Sequence, residues 1–193
     1  MTRLRITADA LKQLGAAMAS YGSTAMFHLP GLTPECGSYS DVLDGPAPEP
    51  VVIGQAELDA FYARYAAPGE KLDVVVFSAP QLSLMELDDL ARRLDGRTVH
   101  AETTMILATS PENKAAADRM GLSARIQSSG AILLEGVCFY QGYAREMAEA
   151  NGWHRLMSNS AKLVNIIGGY GYAPTLGTVE DCIESAVAGR IVS

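Results

Sequence analysis

From about Asp73 onward, short apolar runs alternate with amphipathic stretches. Residues 74–77 (Val-Val-Val-Phe) are apolar and mostly β-branched, the pattern of a strand buried on both faces. Ser83 and Glu86 follow at capping-box spacing, where hydroxyl and carboxylate each satisfy an orphan N–H at a helix start. Leu87, Leu90, Ala91 and Leu94 then fall on one helical face, and Gly96 is a plausible stop. The unit repeats. Residues 105–108 (Met-Ile-Leu-Ala) predict a strand, Ser110-Pro111 an N-cap followed by proline at the first helical position, and Gly121 the end of that helix. Residues 131–134 predict the next strand and 142–150 a helix. Residues 155–157 predict a shorter strand, and Thr178 caps a last helix that stops at Gly189.

Upstream, Ala10, Leu11, Leu14 and Met18 mark a first helix, Ala25-Met26-Phe27-His28-Leu29 a first strand, and Leu58, Phe61, Tyr62 and Tyr65 a second helix. Strands alternating with helices of this length predict an α/β fold, a mostly parallel sheet with helices on both faces. The proline-rich stretch 45–50 reads as a surface loop, because too little chain precedes it for a separate core. Residues 1–193 are therefore expected to form a single α/β domain.

Composition narrows the partners. The hydrophobic share of 48% and charged share of 19% exclude a disordered chain. Fifteen Lys and Arg against 22 Asp and Glu give a net charge of −7, which argues against a nucleic-acid surface. No apolar run approaches the roughly 20 residues that cross a bilayer. The start, Met1 to Ile6, is basic but lacks an apolar stretch after it, so it does not read as a secretory leader. Three unpaired cysteines are not a disulfide framework. The expectation is a reduced, cytoplasmic protein that engages neither membrane nor nucleic acid.

Ligands of open parallel sheets bind beyond the carboxyl ends of the strands. Polar groups gather there at Ser78-Ala79-Pro80-Gln81, Thr109-Ser110, residues 135–138 and Ser158-Asn159-Ser160-Ala161-Lys162, with His28 ending the first strand. The last of these carries more hydrogen-bonding groups than capping alone requires. Cys182 shares a helical face with Val179, Ile183 and Ala186 and reads as core, whereas Cys138 lies just past a strand, where a thiolate could meet a ligand or metal. Cys36 sits in a turn-rich loop. There is no phosphate-binding GxxxxGK[ST], no GxGxxG after a strand and no GxSxG nucleophile elbow.

Phe27-His28-Leu29-Pro30-Gly31-Leu32-Thr33-Pro34-Glu35, Ala79-Pro80-Gln81-Leu82-Ser83 with Glu86-Leu87, Ser158-Asn159-Ser160-Ala161-Lys162 and the closing residues 177–189 occur in the order of the catalytic region of aconitase X. The chain resembles the C-terminal half of that family's large catalytic part. The resemblance implies an aconitase-like α/β fold and an iron–sulfur-dependent hydro-lyase. Its substrate would be cis-3-hydroxy-L-proline or a similar hydroxy acid, with 5-phosphomevalonate as the alternative. It also implies a complementary half of the large part and a small swivelling subunit as partners. By resemblance Cys138 is a metal ligand, Lys162 and Ser160 are catalytic, and Asn159, Ser158 and His28 contact substrate. Many members carry Cys-Pro-His where this chain has Ala79-Pro80-Gln81, and neither Ala79 nor Gln81 can ligate iron or shuttle a proton. A second reading follows from that departure: a binding or assembly module that has lost the cluster.

Overall fold

The computed structural model describes residues 6–192. Met1 to Arg5, most of the stretch weighed above as a leader, lie outside the described residues. Five strands form one wholly parallel sheet: β1 (Val74–Leu82), β2 (Thr104–Thr109), β3 (Ile132–Glu135), β4 (Arg155–Ser158) and β5 (Ala173–Leu176), in the order β3-β2-β1-β4-β5. β1 is central, with Val75 aligned to Met105 on one side and to Met157 on the other. Its alternate residues supply two cores. Val75 and Phe77 join Met105, Leu107 and Met157 on one face, and Val74 and Val76 join Ile106 and Leu156 on the other.

Helices close both faces, as expected. On the first lie α3 (Leu84–Arg93), α4 (Pro111–Arg119), α5 (Leu122–Ser128) and α8 (Val179–Ala188), contributing Leu87, Ala117, Ile126 and Ile183. On the second lie α6 (Ala144–Asn151) and α7 (Ala161–Ile167), contributing Ala144, Ala148, Leu163 and Ile167. The upstream chain forms α1 (Ala8–Gly22), which packs on α7, and α2 (Gln55–Ala63). Ser83 caps α3 with the reciprocal bonds anticipated: its hydroxyl accepts from the Glu86 N–H at 3.1 Å, and Glu86 Oε2 accepts from the Ser83 N–H at 2.8 Å. Among the described residues no helix is long and apolar enough to cross a membrane.

One expectation needs correction, and two elements, β5 and α5, carry no signal in the pattern. Residues 25–29 form no strand. The Leu29 carbonyl accepts from the Leu32 and Thr33 N–H groups at 2.9 and 3.0 Å, so a local turn at Pro30-Gly31 takes a group that a sheet would have used, and Met26 stays exposed. His28 therefore does not end a strand. β5 was not anticipated, because Pro174 and a run of only four residues hide it. The proline is tolerated at the sheet's edge, where no ladder bond is lost on the open side. The helix that stops at Gly121 is followed at once by α5, with Gly121 at φ +74 turning the chain between the two.

Candidate functional site

The sheet order reverses at β1, from which the chain leaves toward β2 and later returns at β4 on the opposite side. The crevice at such a reversal is where open α/β sheets bind ligands. Three strand ends are tied together there. Ser158 Oγ donates to the Val76 carbonyl at 2.6 Å and accepts from the Ser160 N–H at 3.1 Å. Ser160 Oγ donates to the Ala79 carbonyl at 2.5 Å and accepts from the Leu163 N–H at 3.1 Å, which makes it the N-cap of α7. Gln81 Nε2 donates to the Val137 carbonyl at 3.0 Å, joining the end of β1 to the loop after β3.

Both serines are buried and their hydroxyls are engaged with backbone groups on each side. They shape the turn that carries Asn159 and Lys162. Ala79 lies buried at φ +56, a left-handed conformation unusual for a residue with a Cβ, and its carbonyl is the acceptor for Ser160.

Cys138 and Lys162 come together around Tyr140. Cys138 is half-buried and close to the Tyr140 phenol; burial foremost, then that neighbour, pushes the phenol's pKa up. The Lys162 Nζ lies 5.9 Å from the centroid of the Tyr140 ring, within cation–π reach. Tyr170 meets the same ring edge-on at 6.3 Å. The arrangement places a soft nucleophilic sulfur, a phenol and a cation around one aromatic surface beyond the ends of β3 and β4.

Asn159 lies elsewhere. It lines a cavity of about 280 Å³ on the α3 side, with Asp9, Phe77, Met85 and Glu86 among the other walls. Lys12 ties that wall together: its Nζ contacts Glu86 Oε2, Asp9 Oδ1 at 3.2 Å and the Gln81 carbonyl at 3.0 Å. His28 is engaged within its own loop, where Nδ1 sits 2.8 Å from Glu35 Oε1 and that hydrogen bond holds the Glu35 carboxyl down at about 2. Among the described residues, no hydrogen bond or ion pair joins His28 to Lys162 or Cys138.

Among the described residues no three His, Cys, Asp or Glu side chains converge. Cys138 is a single thiol, Ala79 offers no donor, and the buried Cys36 thiol is turned to the Ser38 carbonyl at 3.4 Å. The Cys182 thiol is buried in the core, as its helical face predicts, and desolvation raises its pKa strongly. These donors do not fit a complete ligand set for an iron–sulfur cluster. Sequence reasoning passed over Tyr140, Tyr170, Asp9 and Lys12, and took Glu86 as a helix cap and part of the family motif rather than as a cavity wall. Only Tyr140, two residues beyond Cys138 in a segment already singled out, had a signal that pointed to it.

Two family models match the chain: the aconitase X second domain over residues 1–63 and the aconitase X third domain over residues 72–188. The cis-3-hydroxy-L-proline dehydratase of Pseudomonas aeruginosa is 32% identical over 185 residues, covering 94% of this chain and 32% of that protein. The phosphomevalonate dehydratase large subunit of Methanocaldococcus jannaschii is 32% identical over 154 residues, covering 80% and 36%. The crystal structure of Thermococcus kodakaraensis aconitase X (holo-form) superposes with a TM-score of 0.80 at 25% identity, covering 95% of this chain and 46% of that one. The chain thus spans less than half the length of these relatives.

Proposed function

Because the chain belongs to the aconitase X family, we propose that it forms part of a hydro-lyase that dehydrates cis-3-hydroxy-L-proline or a similar hydroxy acid. The observation that carries this reading is the meeting of Lys162 and Cys138 at Tyr140, beside the sheet's reversal point. Similarity to a dehydratase over 94% of the chain supports it.

Dehydration removes a proton from the carbon beside a carboxylate, and that C–H electron pair becomes the new C=C bond. The hydroxyl on the adjacent carbon leaves with its bonding pair and takes up a proton to become water. The Lys162 ammonium supplies positive charge for the substrate carboxylate, which makes the neighbouring proton easier to remove. Asn159 lines the separate cavity on the α3 side of the α7 turn, away from Lys162, so its part in substrate contact rests on the family resemblance rather than on this group. Ser160 and Ser158 act by holding that turn to β1, which places their part in catalysis behind Lys162. His28 is paired with Glu35 in its own loop, and its part in substrate contact rests on the family resemblance alone.

Iron–sulfur chemistry is a general property of the family. Cys138 is the one thiol this chain offers at the strand ends, so the remaining ligands of any cluster would come from outside the described residues. A complementary part of the large chain and a small subunit are the partners this requires. Relatives from Methanocaldococcus jannaschii and Thermococcus kodakarensis are among those named as phosphomevalonate dehydratase large subunits.

The test is reconstitution. The chain is co-expressed with the remaining aconitase X part and a small subunit without oxygen, and turnover of cis-3-hydroxy-L-proline and 5-phosphomevalonate is compared. Faster dehydration of the hydroxyproline is expected. Preference for the phosphorylated acid would move the substrate assignment to the alternative, and no turnover of either would favour the assembly module that Ala79 and Gln81 suggest.

A further inference from the structure

Residues 24–63 form a layer with almost no interior. Cys36 is its one buried residue, and α2 buries none of its own. Large apolar side chains face outward instead. Val51, Val52 and Ile53 are 89, 83 and 70% exposed, and Met26, Tyr39 and Leu58 are exposed as well. Tyr39 and Val51 line one open cavity of about 360 Å³ with Ala47, Pro48, Glu49 and Pro50, so this apolar surface is continuous from the turn at Tyr39 to the proline-rich loop. A soluble surface does not ordinarily present three consecutive β-branched residues to water.

The backbone is as unpartnered as the side chains. Among the described residues, no backbone hydrogen bond is made by residues 46–53, which lie outside every helix and strand. Pro50-Val51-Val52-Ile53 has the composition of a strand, with proline where a strand may begin. An unpaired stretch of this kind is the template for strand addition to another sheet.

Charge narrows the occupant. Residues 24–63 contain six carboxylates (Glu35, Asp41, Asp44, Glu49, Glu57 and Asp59) and no Lys or Arg. Two copies of this chain meeting through the segment would oppose acid to acid, so a second copy is disfavoured. A partner with an apolar edge and a basic rim fits. The matched family domains are the second and the third, and the chain covers 46% of the matched structure. The family therefore has a first domain, which neither of the two models matched here includes.

We propose that the exposed apolar, acidic segment 39–53, with Pro50-Val51-Val52-Ile53 as a strand awaiting a sheet, is the docking surface for the first domain of an aconitase X large chain. This deepens the function proposed above by naming the surface through which the complementary part attaches, and it rests on that reading only for the identity of the partner.

The experiment mixes this chain with a separately expressed polypeptide comprising the part of the Pseudomonas aeruginosa dehydratase outside the matched region. Sedimentation velocity and amide hydrogen exchange are the readouts. The account expects a one-to-one complex that weakens with salt, protection of the amides of residues 51–53 on mixing, and affinity at least about tenfold lower for Val51→Ser with Ile53→Ser. Glu49→Lys with Asp44→Lys should weaken the complex and flatten its salt dependence. Because these side chains are exposed in the free chain, the variants should keep the parent's Tm. No complex, equal affinity for the Val51/Ile53 variant, unprotected amides at 51–53, or a homodimer formed through this segment would each overturn the proposal. The readouts involve no turnover: a complex that forms but does not dehydrate would remove the hydro-lyase reading and leave the docking surface standing.

Discussion

The Ser160 hydroxyl donates to the Ala79 carbonyl at 2.5 Å while accepting from the Leu163 N–H, so one side chain both starts α7 and fastens it to the end of β1. The bond crosses the point where the sheet changes direction. It fixes where Lys162, two residues further on, emerges from the helix.

Replacing Ser160 with Ala removes the cap and leaves a buried carbonyl without its donor. The combined cost should be about 2–4 kcal/mol. Urea denaturation of Ser160→Ala should show that loss with an unchanged m-value. A stability within about 0.5 kcal/mol of the parent would mean that α7 does not depend on this bond.

Tyr172 offers a pH signature. Its hydroxyl donates to the Ala144 carbonyl at 2.9 Å, its ring lies 6.0 Å from Phe139, and burial pushes the phenol up to about 12 from 10.0. The folded phenol keeps its proton after the unfolded one has lost it. Its contribution to stability is therefore whole below pH 10 and is lost as pH rises toward 12. Tyr172→Phe should lower stability by about 1 kcal/mol at neutral pH. Between pH 10 and 12 its stability should fall less steeply than the parent's, as read by denaturation at each pH.

Gly189 ends α8 at φ +72, and a Cβ there would stand 2.6 Å from His100 Nδ1. Its carbonyl also accepts from the Leu72 N–H at 3.2 Å, next to the start of β1. Gly189→Ala should destabilise by about 2 kcal/mol from the left-handed conformation alone, with the His100 contact adding to it. Scanning calorimetry would detect the lower Tm, and a Tm equal to the parent's would contradict the close approach.

Much of this fold was legible in the sequence, because its central strands are short apolar runs and its helices begin with strong caps. Ser83, Ser110 and Thr178 each cap the helix that their spacing announced. The upstream part was harder. At residues 25–29 the apolar composition of a strand competes with a turn that Pro30-Gly31 imposes, and the turn prevails. β5 is held by its pairing to β4, a tertiary contact that four residues containing a proline could not announce.

The site was legible by segment but not by side-chain direction. Ser158, Asn159, Ser160 and Lys162 occur within five residues of one another, yet the turn sends them to different places. Two serines face the backbone of β1, the amide lines the cavity by Glu86, and the ammonium lies over Tyr140. Spacing along the chain cannot distinguish these directions, because they depend on where β1 and the loop after β3 lie.

The central claim is that the cation over Tyr140 serves the reaction, and a Lys162 series in the reconstituted, oxygen-free enzyme tests it most directly. Lys162→Ala should lower kcat/KM for cis-3-hydroxy-L-proline by about 100-fold or more while Tm stays within a few degrees, and Lys162→Arg should recover part of the loss. A Lys162→Ala enzyme that turns over at the parent's rate would contradict the account.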